Sequence, residues 1–357
     1  MSRELDCEIV RDLLPLYVEG LTSPGTSAAV EQHLAGCPAC AAARETMAAP
    51  GPEPARPAQN KEVDYLKRVR ARSRLRVVLA VVCTVLVLAV CAAAKAFWVG
   101  SEATREGMSW SVQTEDETGL LNLRVTSHWS GVAYRKWQVV RQGDTVTITA
   151  RKVLPSPLCG TADYRTQIQL DGVREIYLCG VLLWQDGTVI FEDTLTLLAA
   201  HTPYVGDAPA LGRLAGALYV ADLCGGFTNE LQTNAEPYGW TLHFTEPRSP
   251  SAAESLNRQM TRMAVKMLAL VDNLGEVHWT YTDEDGMQHE WVYTRSQADG
   301  CAAALADADG SADAPRTVRQ LTQTAAGLQR LCNALREGDM LEQYLAENGP
   351  ARLAGAV

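Results

Sequence analysis

Residues 77–94 read VVLAVVCTVLVLAVCAAA, eighteen positions without a charge, followed by Lys95 and then Ala96-Phe97-Trp98-Val99. Crossing about 30 Å of hydrocarbon at about 1.5 Å per helical residue takes about 20 residues. Leu75 to Val99 is therefore long enough for one transmembrane helix, with Lys95 snorkelling outward and Phe97 and Trp98 at the interface. A cleaved signal peptide is the alternative for such a run, but this one lies far from the N-terminus, behind a segment with folding signals of its own.

Charge is distributed around this segment unevenly. The 357 residues carry a net charge of −10, with 32 Lys and Arg against 42 Asp and Glu and 47% hydrophobic residues, which excludes a disordered or collagen-like chain. The basic exception is residues 61–76, where Lys61, Lys67, Arg68, Arg70, Arg72, Arg74 and Arg76 precede the span; only Lys95 and Arg105 follow it closely. Cations concentrate on the cytoplasmic flank of a span, so the N-terminus is expected inside the cell membrane and the C-terminus outside. A short basic block beside an apolar run is a membrane flank rather than a nucleic-acid surface, so direct nucleic-acid binding is disfavoured. The same block is expected to form a helix continuous with the span.

Before the linker stand four residues with metal-binding chemistry: Cys7, His33, Cys37 and Cys40. The last three form H-x3-C-x2-C, and His33 is the only histidine before His128. Zinc favours a tetrahedral shell of thiolate and imidazole, and a C-x2-C turn lets two thiolates reach one ion. A helix is expected from Ser23 as N-cap and Pro24 at its first position to Gly36, which carries His33 and leaves Cys37 in a turn. An earlier helix from Cys7 to Leu21 has Ile9, Leu13, Leu16 and Tyr17 along one side, broadened by Val10, Leu14 and Val18. Packed antiparallel to its successor, it brings Cys7 to the other three ligands. One structural Zn2+ is the expected cofactor. The competing reading is a buried Cys7 beside an unrelated cysteine pair; cytosolic disulfides are rare, and so small a head needs a staple.

The stretch CEIVRDLLPLYVEGLTSPGTSAAVEQHLAGCPAC resembles the zinc-binding anti-sigma factor family, whose putative zinc-finger head joins an upstream Cys or His to H-x3-C-x2-C. The resemblance implies zinc ligation by Cys7, His33, Cys37 and Cys40. It also implies a head that binds an extracytoplasmic-function sigma factor and keeps it from RNA polymerase. Family members usually continue into a further helix that lies across the sigma factor, whereas Ala48 to Asn60 is rich in Pro and Ala and reads as a semi-rigid linker. Some soluble relatives release their partner when the thiolates oxidise; membrane-spanning ones are relieved by regulated proteolysis.

After the span the patterning changes to short alternating runs, LLNLRVTSHW, KWQVVRQ, DTVTITARKV, RTQIQLDG, REIYLCGVLLW and GTVIFEDTLTLL, which read as strands. Turn signals at Gly143-Asp144, Asp171-Gly172 and Asp186-Gly187 predict antiparallel hairpins. Trp129, Tyr134 and Trp137 are packing residues or a ligand surface. From His201 to Arg295 the order reads α-β-β-α-β-β: a short helix in YVGDAPALGRLAGAL, strands FTNELQT and EPYGWTLHF, a helix Ala252 to Leu274 with a Met260, Met263 and Met267 stripe, and a hairpin turning at Asp285-Gly286. HTPYVGDAPALGRL and ELQTNAEPYGWTLHF resemble a domain of unknown function found behind membrane anchors in Gram-positive proteins. His278 and His289 are candidates to face each other across the hairpin, a weak metal hint. Thr317 to Leu345 is a helical tail expected to dock on these modules. Cys159, Cys179, Cys224, Cys301 and Cys332 cannot all pair within one chain; Cys159 with Cys179 is one option and buried free thiols another.

The expected architecture is a multidomain α+β chain: a small all-α zinc-binding head (1–47), a linker and basic juxtamembrane segment (48–74), one transmembrane helix (75–99), a β-rich outer module (100–198), an α+β outer module (199–298), and a linker with a helical tail (299–357). No H-E-x-x-H, G-x-S-x-G, phosphate loop or G-x-G-x-x-G occurs, and Asp283, Glu284 and Asp285 fall in a turn, so an enzyme is not expected. The leading function is a membrane-anchored anti-sigma factor that answers an unidentified extracytoplasmic ligand or stress. The rival is an extracytoplasmic binding or scaffolding protein whose zinc head docks another cytoplasmic partner.

Overall fold

The computed structural model describes residues 5–50, 59–115, 118–156, 163–336 and 340–353. It divides into two compact units, residues 1–87 and 88–357.

The first unit opens with three short helices. Helix α1 (Cys7–Val18) buries Val10 and Leu14, and α2 (Pro24–Gly36), with Ser23 as its N-cap and Pro at its first turn, buries Val30. Cys37 is extended (φ −126°, ψ 99°) and ends α2 while starting α3 (Pro38–Ala48), which buries Cys40. The third helix is absent from the expectation above. Its run of Ala41, Ala42 and Ala43 favours helix without marking an apolar face, so periodicity alone does not reveal it. Helix α4 (Gln59–Ala94) is 36 residues long, contains no Gly or Pro, and joins the basic block to the apolar run. Val69–Val99 is long and apolar enough to cross a membrane, and its apolar window is wholly unburied.

In the second unit the helix ends in a π-helical turn, Lys95–Val99, capped by Gly100 at φ 68°. The chain passes at once into β1 (Ser101–Glu102), β2 (Met108–Glu115), β3 (Leu120–Ser127), β4 (Ala133–Gln142), β5 (Thr145–Val153), β6 (Tyr164–Gln169), β7 (Glu175–Leu178), β8 (Val181–Gln185) and β9 (Thr188–Val189). One sheet runs β1-β5-β7-β8-β9 with β4 also on β5; the other is β2-β3-β6. Alternation explains the sandwich: Leu121, Leu123 and Val125 point inward from the small sheet against Val146, Ile148, Ile176 and Leu178 from the large one. The turns at Gly143-Asp144 and Asp186-Gly187 close antiparallel pairs, β4 with β5 and β8 with β9. Asp171-Gly172 does not, because β6 and β7 lie in different sheets and β7 pairs parallel with β5. The sandwich is fastened to the helix exit: the Leu154 N–H donates to Ala96 O at 2.9 Å, and the Arg135 guanidinium lies 4.4 Å over the Trp98 ring.

The remaining chain forms α5 (Glu192–Ala199), α6 (Ala208–Ala217), α7 (Val220–Cys224), β10 (Phe227–Gln232), β11 (Tyr238–Phe244), α8 (Pro250–Leu270), β12 (Leu274–Thr282), β13 (Gln288–Thr294), α9 (Arg295–Asp309), α10 (Val318–Leu321), α11 (Ala325–Ala334), α12 (Leu341–Glu347) and β14 (Ala351–Leu353). The sheet order is β10-β11-β12-β13-β14, with β11 and β12 parallel across α8. Trp240, Trp279 and Tyr293 are fully buried and share a core with Met260, Met263 and Met267, so the methionine stripe is packing. Leu274 belongs to β12 rather than to the preceding helix. The tail docks as expected, burying Val318, Leu321, Leu328 and Leu335 in this core.

Two expectations fail here. FEDTLTLL is read as strand from its alternation, but Glu192–Ala199 is helix, buried through Thr194 and Leu197. His278 stands opposite Val292, and His289 opposite Tyr281, so the two histidines do not face each other. Each instead meets carboxylates: His278 lies 3.2 Å from both Glu276 and Glu290, and His289 lies 2.8 Å from Asp283. Of the aromatic trio, Tyr134 is buried, Trp137 stacks on Tyr164 at 4.1 Å, and Trp129 is exposed. Cys179, Cys224, Cys301 and Cys332 are free thiols, and Cys159 lies outside the described residues.

Candidate metal centre

Each helix of the head contributes to one point. Cys7 is the first residue of α1, His33 lies in the last turn of α2, Cys37 fills the break between α2 and α3, and Cys40 lies in the first turn of α3. The break is written locally: Gly36 weakens the helix, and Pro38 is favoured at a first helical position while biasing Cys37 toward extended backbone. Val10, Leu14, Val30 and Cys40 form the buried core beside the cluster, with Leu5, Leu13, Tyr17 and Leu34 packed around it. Tyr17 donates to Glu31 at 3.1 Å, tying α1 to α2 on the outside.

The ligand atoms of Cys7, His33, Cys37 and Cys40 all lie within 4.8 Å of one another, the one such group of His, Cys, Asp or Glu found among the described residues. Cys7 Sγ is 3.5 Å from His33 Nε2 and 3.8 Å from Cys37 Sγ. These separations test the fit to a metal. Bond lengths of about 2.3 Å to sulfur and about 2.0–2.1 Å to nitrogen, set tetrahedrally, put two thiolates about 3.8 Å apart and a thiolate about 3.6 Å from an imidazole nitrogen. A disulfide would need its sulfurs about 2.05 Å apart. The spacing is that of donors around one ion, and the Cys3His set is compatible with one structural Zn2+.

The electrostatics point the same way. The Cys40 backbone N–H and the Cys7 thiol both donate toward the Cys37 sulfur and hold its pKa down to about 6, while Cys7, sharing its proton with Cys37, is pushed up. One thiolate is thus favoured before any ion arrives, which lowers the proton cost of metal binding. Cys40 is buried, whereas Cys7 is exposed and Cys37 half-buried.

Residues 7–41 match the family model described as Putative zinc-finger. Residues 197–294 match a second model, described as Domain of unknown function (DUF4825). Among curated proteins, the chain is similar to the Anti-sigma-YlaC factor YlaD of Bacillus subtilis (strain 168), with 46% identity over 46 residues. That alignment covers 13% of this chain and 47% of YlaD, so the chain spans about half the length of the curated relative it matches. No solved structure matches the chain. All four candidate ligands fall within the zinc-finger match. The sequence pointed to these four and to their convergence but not to α3, which carries Cys40 and has no periodic apolar face.

Proposed function

We propose that this chain is a single-pass membrane anti-sigma factor, in which Cys7, His33, Cys37 and Cys40 hold one Zn2+ and the zinc-bound head sequesters a sigma factor of the extracytoplasmic-function type. The observation that carries the reading is the convergence of four zinc donors inside the zinc-finger match, in a chain that is 46% identical over 46 residues to an anti-sigma factor. The ion supplies structure: it cross-links α1, α2 and α3, whose shared core is too small to fix their angles alone. The chain's own residues do the rest. Val10, Leu14 and Val30 hold the three helices together, while Ile9, Leu16 and Leu21 stay exposed on the head and are available to a partner helix.

The orientation rests on the basic residues ahead of Val77, which favour the cytoplasmic face. The head then lies with the transcription machinery and residues 100–357 lie outside, where they answer an envelope signal. The test is capture of the tagged full-length chain from crosslinked cells, with bound proteins identified by mass spectrometry. A sigma factor is expected with the native chain and lost with Cys37→Ser. Recovery of zinc-loaded chain without any sigma factor would overturn this reading in favour of a scaffolding or binding role.

A further inference from the structure

Where the β-sandwich meets the α+β module, a cavity of about 480 Å³ is lined by Arg105, Trp110, Phe191, Lys266 and Arg336. Arg105 comes from the loop between β1 and β2, Lys266 from α8, and Arg336 from the end of α11. The junction around it is well built: Ile190 packs on Ala325 and Ala326, and the Gln329 side-chain oxygen accepts from Phe191 N–H at 2.9 Å and from Thr194 Oγ1 at 2.6 Å.

Arg105 is the unusual member. Only 7% of its surface is exposed, yet among the described residues its side chain makes one hydrogen bond, to Leu182 O at 3.1 Å, and its Nε has no partner. A guanidinium has five N–H donors, and a buried one is normally matched by a carboxylate or a full set of acceptors. Among the described residues no carboxylate forms a salt bridge with Arg105, Lys266 or Arg336; Glu192 and Asp193 line the cavity, and Glu192 acts on Arg105 through its charge alone. Aromatic plates fix the cations instead. Arg105 lies 4.8 Å over Trp110, Trp110 stacks on Phe191 at 5.7 Å, and Arg336 lies 5.8 Å over Phe191. Burial pushes the Arg105 guanidinium down from its ordinary value, against the opposing pull of the Glu192 carboxylate.

We propose that this cavity is a binding site for the oxyanion of a small ligand, a phosphate or carboxylate held by Arg105 together with Lys266 and Arg336. A flat guanidinium pinned on a ring presents its free in-plane donors as a fork, the geometry that suits two oxygens of one oxyanion. Contacts from both modules to one ligand would join them, so occupancy would stiffen the junction. The site is independent of what the head binds: loss of the sigma-factor reading would leave it intact.

The test uses the full-length chain in phosphatidylcholine nanodiscs, titrated with inorganic phosphate or citrate against chloride of equal ionic strength, with thermal unfolding and calorimetry as readouts. Saturable stabilisation is expected from at least one of the two anions, weakened about tenfold or more in Arg336→Gln and in Arg105→Lys, which keeps the charge but loses the fork. Arg336 is exposed, so its variant reports on binding even where a change at Arg105 perturbs folding. A second arm replaces the lipid with phosphatidylglycerol and omits the soluble anions. Arg336-dependent stabilisation there assigns the oxyanion to a lipid headgroup. No stabilisation beyond chloride in either arm, or stabilisation equal in the native chain and both variants, overturns the proposal.

Discussion

Replacing Cys37 by Ser should remove zinc from the head and leave the rest of the chain unaltered. Cys37 joins α2 to α3, its sulfur lies 3.8 Å from that of Cys7, and its thiol is held down to about 6 by the hydrogen bonds it accepts. Structural zinc in comparable small domains contributes about 10–16 kcal/mol, or about 3 kcal/mol for each of four ligands if shared evenly. At 1.4 kcal/mol per decade, loss of one ligand corresponds to about a hundredfold weaker zinc binding. Among the described residues of the head only Val10, Leu14, Val30 and Cys40 are fully buried, so the loosened head should also open to protease. Purified full-length protein can be titrated against a chromogenic chelator, with trypsin cleavage at Arg11 in α1 and Arg44 in α3 followed in parallel. The native chain should carry one zinc and resist cleavage until it is stripped, whereas Cys37→Ser should lose zinc to mild chelation and be cut at once. Cys332→Ser, changed in α11 of the second unit, is the control and should leave zinc untouched. The reasoning is refuted if Cys37→Ser competes for zinc as well as the native protein, or if native protein holds no zinc and still resists trypsin under strong chelation.

Three further outcomes are expected. Leu14→Ala, at a fully buried position, should cost the head about 2–5 kcal/mol and speed tryptic cutting at Arg11 even with zinc present; an unchanged rate would place Leu14 outside the head's core. Gly100 sits at φ 68°, where an added Cβ would strike the Lys152 carbonyl, so Gly100→Ala should lower the thermal midpoint of the second unit by several degrees, corresponding to about 1–3 kcal/mol, as read by tryptophan fluorescence. Burial raises the Cys301 thiol from 9.0 to about 11, and Cys224 likewise from 9.0 to about 11. A folded-state pKa above the unfolded one stabilises below the unfolded value, so this contribution is complete below pH 9 and is lost as pH rises through 11, at up to about 3 kcal/mol per thiol. Urea unfolding from pH 8 to 11.5 should show the decline, and Cys301→Ala should flatten part of it.

What could be read from the sequence is what neighbouring residues encode. The H-x3-C-x2-C run places three donors by local geometry, and the apolar run from Val77 declares its helix through the absence of charge. Hairpins with a glycine at the turn, such as Gly143 between β4 and β5, were legible for the same reason. The unread parts fall into two kinds. Some had local signals that the apolar pattern obscured: α9 is missing from the sequence reading, although Thr294 and Gln297 form a reciprocal capping box at its start, because its alanine-rich body shows no strong stripe. Others are non-local by nature. The parallel pairings of β5 with β7 and of β11 with β12 depend on crossovers that no short window contains. Arg105 belongs to this second kind: in sequence it is one charge after a span, and only the meeting of the two modules buries it.

The proposed function calls for a stiff connection between the outer modules and the span, and the second unit holds one. Helix α4 has 36 residues, hence about 54 Å of length at 1.5 Å per residue, with no Gly or Pro to absorb a bend. Its far end is welded to the sandwich rather than tethered. Leu154 N–H bonds the Ala96 carbonyl, Arg135 covers Trp98, and β1 pairs Ser101 with Lys152 within two residues of the π-helical turn. A loose linker at that point would let the sandwich move independently of the helix end, whereas these contacts tie the two together. The π-helical turn is the one irregularity in the path, and with Gly100 beside it the joint is where a change in the sandwich would first be felt. On the proposed reading, the contacts at this joint and the cavity at the module junction would make the second unit a body whose internal state reaches the end of the helix.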